Sequence, residues 1–123
     1  MMKIHEVTDE QGQYRGVYLR VVGDAELEIV DADGALPVPP GALEKVLERY
    51  GAPFDPEAPI TAVAELELGG AGRLRQVRHL AGYDVVARDY LVLDLGEGEP
   101  LCCFGATVAA ALQHLARAAA RAR

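Results

Sequence analysis

Apolar and polar residues alternate from Arg15 to Val22, with Val17, Leu19 and Val21 on one side and Tyr18 and Arg20 on the other. A period of two marks a half-buried strand. Residues 25–30 repeat it, with Leu27 and Ile29 set against Glu26 and Glu28. Matching the two faces predicts a hairpin with Leu19 opposite Leu27, Val17 opposite Ile29 and Arg20 opposite Glu26. Val22, Gly23 and Asp24 would form its three-residue loop. Residues Met2–Val7 predict an earlier strand, and Thr8–Gln13 a polar turn.

The stretch DADGALPVPP ends that sheet, and the period then changes. Leu43, Val46, Leu47 and Tyr50 recur at helical spacing, with Glu44, Lys45, Glu48 and Arg49 between them. Pro40 is predicted as the first helical residue and Gly51 as the residue just past the end. The next loop, APFDPEAP, is stiffened by three prolines, and Phe54 is expected to tuck it against the core.

Alternation returns at Ile60, Ala62, Ala64, Leu66 and Leu68, with Glu65 and Glu67 on the other face. Pairing Glu67 with Arg73 and Glu65 with Arg75 sets Leu66 opposite Leu74. Charge and apolar patterns thus choose one register for this second hairpin. Tyr90–Leu95 and Leu101–Phe104 predict two more strands, joined by the turn GEGEP. An alanine-rich helix should start within two residues of Gly105. Val108, Ala111, Leu112, Leu115 and Ala119 form its predicted inner stripe, anchored by Leu112 and Leu115, with Gln113, His114, Arg117 and Arg121 outside.

Strands, helix, strands, helix, with no repeated βαβ unit, predict an α+β fold. The expected form is one antiparallel sheet of about six or seven strands, with the C-terminal helix packed on one face. Residues 1–123 would make a single domain, long enough to bury a core without staples.

Charge narrows the partners. The net charge is −7, which argues against nucleic acid. It is uneven: residues 1–68 hold 14 acids and 5 bases, and residues 69–123 hold 5 acids and 7 bases. Solvated faces explain this simply; an acidic surface meeting a partner is the sharper reading. No apolar run has signal-peptide form or approaches the ~20 residues of a membrane span. Two adjacent cysteines make no disulfide framework, so a reducing cytoplasm is expected. Ten arginines against two lysines, with twenty alanines, suggest GC-rich, bacterial coding.

Candidate chemistry is sparse. Cys102 and Cys103 invite a thiol-sensor reading, because thiols near a helix N-terminus can be acidified. As strand neighbours they point to opposite faces, which opposes a shared metal and leaves two small buried side chains as the plainer reading. His5, His79 and His114 show no metal-ligand spacing. The tracts GGAG and GEGEP lack the lysine and hydroxyl of a phosphate-binding loop and read as turns. The backbone N–H groups at Gly105, Ala106 and Thr107 could meet an anion, as at any helix start. No serine occurs, so nucleophiles reduce to three threonines and the cysteines.

The densest polar and aromatic segment is Arg78–Tyr90, where Arg78, His79, Tyr83, Asp84, Arg88 and Asp89 are the candidate binding residues. Its plain alternative is a loop whose acids and arginines pair together. The leading expectation is a small acidic accessory or regulatory domain, more readily non-enzymatic than enzymatic. It would act through contact with a protein partner or a second copy as a homodimer, without cofactor, metal, nucleic acid or membrane. The rivals are a small-molecule-binding domain or small enzyme with a pocket near Tyr83, Asp84 and Arg88, and a thiol-dependent sensor.

Overall fold

The computed structural model describes residues 4–8, 14–23, 26–55, 57, 60–68, 72–79 and 89–122. The chain forms an α+β fold in which each antiparallel group of strands is followed by one helix. Strands β1 (Ile4–Thr8), β2 (Tyr14–Val22), β3 (Glu26–Asp31) and β4 (Gly34–Pro37) make a first sheet in sequence order. Helix α1 (Ala42–Tyr50) follows. Strands β5 (Ala52–Pro53), β6 (Ile60–Glu67), β7 (Arg73–His79), β8 (Asp89–Asp94) and β9 (Leu101–Phe104) make a second sheet, ordered β5-β9-β8-β7-β6. Helix α2 (Gly105–Arg121) closes the chain.

The expected single sheet is therefore two. Pro37 ends β4, the Val38 N–H still donates to Leu27 O at 2.8 Å, and Pro39 and Pro40 beyond it offer no N–H to continue the ladder. Beyond α1 the chain pairs with β9 instead, through Ala52↔Cys102 and Pro53↔Leu101. Helix α2 is also not confined to one face: it lies against α1, the strands of the first sheet, and β8 and β9 of the second. Leu19 and Ile29 from the first sheet, Leu43 and Leu47 from α1, Leu74 and Leu91 from the second sheet, and Val108 and Leu112 from α2 belong to one buried cluster. Its apolar burial is the main stabilising term.

The second hairpin has the expected register: Glu67↔Arg73, Leu66↔Leu74 and Glu65↔Arg75, with both leucines buried. Unbroken alternation from Ile60 does not hold, because the register shifts between Ala62 and Ala64. The first hairpin differs from expectation. Leu19 faces Ile29, Val21 faces Leu27 and Arg20 faces Glu28, with Val22 opposite Glu26 as the last pair. The slip of two residues keeps the same side chains inward. Either register sets a glutamate opposite Arg20; in the observed one it is Glu28, paired at 2.8 Å.

Both helices carry corrections. Gly41 takes a left-handed φ of 78°, so α1 begins at Ala42 and Pro40 lies outside it. Gly51 ends it as expected, its N–H bonded to Leu47 O. Tyr50, expected in the inner stripe, is 50% exposed at the last turn. In α2 the buried residues are Gly105, Val108, Ala109, Leu112 and Ala116, whereas Leu115 is 37% exposed. Small Ala109 and Ala116 suit the crowded side where α2 meets α1 and two sheets, which leaves bulkier Leu115 on the flank.

Candidate functional site

Of the residues singled out in Arg78–Tyr90, Arg78 and Asp89 come together as direct partners across β7 and β8. Arg78 Nε donates to Asp89 Oδ1 at 3.1 Å, and Gln76 Nε2 donates to Asp89 Oδ2 at 3.0 Å. Gln76 and Asp89 are both buried. A buried carboxylate between two donors braces the sheet against itself, because removing either side strands a polar group. His79 ends β7 by its backbone. Tyr83, Asp84 and Arg88 lie outside the described residues.

The two thiols are free, with Cys103 buried and Cys102 half-buried. Register sends them to opposite faces: Cys103 aligns with Leu91 and Cys102 with Val92. Cys103 Sγ donates to Tyr50 O at 3.6 Å and so ties β9 to the end of α1. Burial, followed by the neighbouring Cys103, pushes the Cys102 thiol up to about 11. Burial also pushes Cys103 up. These environments favour neutral thiols, and a thiol sensor needs the reverse. Among the described residues no group of three His, Cys, Asp or Glu side chains is placed to hold a metal.

Two concave surfaces stand out among the described residues. The larger, about 1200 Å³, runs between the turn after β3, the outer side of α1 and the flank of α2. Ala106, Ala109, Ala110 and Ala111 line its α2 side. Asp31 and Asp33 stand on one rim, and Lys45, Arg49, His114 and Arg117 on others. Asp31 is held there by Gln113 Nε2 at 2.8 Å and Arg117 at 3.1 Å, and its other oxygen accepts the Asp33 N–H at 2.8 Å. The Asp33 N–H outweighs the opposing effect of burial and, with Gln113 and then Arg117, holds the Asp31 carboxyl below the usual range. Exposed Tyr50 and Leu115 both border this groove.

The smaller cleft, about 460 Å³, lies at the β5–β9 side of the second sheet and is mostly aromatic and apolar. Its floor follows one row of the pairing, Phe104–Tyr90–Val77. The Tyr90 and Phe104 rings stack with centroids 4.6 Å apart. Phe54 and Tyr50 supply further walls, and Thr107 and Asp55 supply polar edges. Four of the chain's seven aromatic residues thus meet at one place. The sequence reading missed this cleft. Its signal was the turn GEGEP, which brings the first residue of one run, Tyr90, opposite the last of the next, Phe104. Comparison with protein-family models, with curated proteins and with solved structures finds no match.

Proposed function

We propose that this protein is a small accessory or regulatory domain that acts through protein contact, and that the α1–α2 groove receives a second copy of the chain. One observation carries the reading. Among the described residues three large hydrophobic side chains are exposed, and two of them, Tyr50 and Leu115, border this one groove. Grouped exposed apolar side chains with a polar rim are the usual form of a contact surface. The alanines beside them leave room for a helix to approach closely. The rim carries both signs of charge, so a two-fold arrangement can set the acids at Asp31 and Asp33 of one copy near Lys45 and Arg49 of the other.

Sedimentation equilibrium over a hundredfold range of protein concentration tests this. A reversible monomer–dimer equilibrium is expected, and Leu115→Arg should abolish it while leaving the monomer folded, because the change enters a two-fold contact twice. A protein that stays monomeric throughout, or a dimer indifferent to Leu115→Arg, would refute the proposal. Among the described residues no helix is long and apolar enough to cross a membrane.

A further inference from the structure

We infer that the contact between copies is selected by charge, with Asp33 of each chain meeting Lys45 and Arg49 of the other; this rests on the groove receiving a second copy. Charge on α1 is segregated. Lys45 and Arg49 stand four residues apart on one stripe of the helix, and both line the groove. Glu44 and Glu48 form a second stripe, outside the groove lining. Opposite charges at that spacing steady a helix and like charges weaken it. The arrangement on α1 thus forgoes local pairing and presents a cationic strip to the groove.

The charges around the groove differ in whether the chain itself answers them. Asp31 is held by Gln113 and Arg117, so that acid and that base are already matched. Asp33 lends Asp31 its backbone N–H and is itself exposed. Lys45 and Arg49 are exposed too, and the Arg49 guanidinium rests 5.2 Å from the centre of the Tyr50 ring. Among the described residues, none of these three charged side chains has an ion pair. One acid and two bases are left over, on different rims of a groove that exposed Tyr50 and Leu115 also border.

A two-fold contact makes every pairing twice, because the same patch serves both copies. A second chain therefore brings an acid to each cationic strip and a cationic strip to each Asp33. A foreign acidic segment would answer Lys45 and Arg49 but leave Asp33 over. Matched charges at a rim fix register and exclude wrong partners more than they add affinity.

Charge exchange between two variants, followed by sedimentation equilibrium, tests this. Asp33→Lys alone, and Lys45→Glu with Arg49→Glu, should each weaken the dimer about tenfold or more, since like charges then meet twice. An equimolar mixture should return to within about threefold of the unaltered Kd, because the new lysine of one variant meets the new glutamates of the other. Asp33→Lys is decisive by itself. It makes a chain of net charge −7 less negative, so general repulsion between copies predicts a tighter dimer, and the ion pairs predict a weaker one. A dimer unchanged or tightened by Asp33→Lys, or a mixture no tighter than its separate components, would overturn the inference and leave the self-contact standing. An unaltered protein that stays monomeric would overturn both.

Discussion

Gln113 Nε2 donates a 2.8 Å hydrogen bond to Asp31 Oδ2 across 82 residues of chain, fastening the flank of α2 to the end of β3. Arg117, one turn further along α2, reaches the same oxygen at 3.1 Å. The outer side of α2 is therefore held as well as the inner. Gln113→Ala should cost about 0.5–1.5 kcal/mol, the usual net worth of one such bond. Asp31→Asn should also show in acid. The folded carboxyl titrates below its unfolded value, so its contribution is complete above the unfolded pKa and is lost as pH falls through the folded one. Between about pH 5 and pH 2 the unaltered protein should thus lose more Tm than Asp31→Asn does. Parallel acid profiles would show that Asp31 contributes nothing by its charge.

The two leucines of α2 should separate sharply. Leu112 is fully buried in the shared core, and Leu112→Ala leaves a cavity costing about 2–5 kcal/mol. Leu115 is 37% exposed, so Leu115→Ala should cost less than about 1 kcal/mol in the monomer. Urea unfolding of both variants at low protein concentration measures the difference. Equal losses would mean that Leu115, too, is a core anchor.

How much of this was legible in the sequence depended on whether independent signals converged. In the second hairpin, charge and hydrophobicity chose one register, and Glu67, Arg73, Leu66 and Leu74 stand accordingly. In the first, a slip of two residues keeps every face, so alternation could not tell Leu19–Leu27 from Leu19–Ile29. Helical period located both helices, but it could not say that α2 would be enclosed by two sheets and α1, which decides between Leu115 and Ala116. The split into two sheets depends on which strands pair, which alternation does not encode, and β5, beside β9, is two residues long and carries no periodicity. The cleft escaped for a related reason. Tyr90 and Phe104 sit on two neighbouring strands and Phe54 just past the end of a third, and only sheet order unites them. The pairing of Arg78 with Asp89 was within reach, since the plain reading of that segment had acids and arginines meeting each other.

The thiols should be slow. With Cys102 raised to about 11 and Cys103 raised as well, neither is appreciably ionised at pH 7.5. Ellman's reagent should react with the native protein far more slowly than with the unfolded chain, where both groups respond. Stability should fall as well when pH rises from about 9 toward about 11: the unfolded thiol ionises in that window while the folded one stays neutral. Cys102→Ala should flatten that alkaline fall. A fast-reacting native thiol at neutral pH would instead favour a redox-sensing role.

Asp89 offers the clearest choice between a brace and a surface residue held ready for a ligand. It is 3% exposed, with Gln76 and Arg78 each donating to a different one of its oxygens. Truncating it leaves a buried amide without its acceptor and a guanidinium without its counter-charge. Arg78 is partly open to water, which softens the second loss. Asp89→Ala should therefore cost about 2–4 kcal/mol, below the full penalty of breaking an enclosed ion pair. Arg78→Met alone should cost less, because Gln76 still partners the carboxylate. A double-mutant cycle between the two positions should return a coupling above about 1 kcal/mol, since both act through one contact. If Asp89→Ala instead melts within about 0.5 kcal/mol of the unaltered protein, as surface changes do, the carboxylate is no brace, and a direct binding role for it becomes the better explanation of its place between β7 and β8.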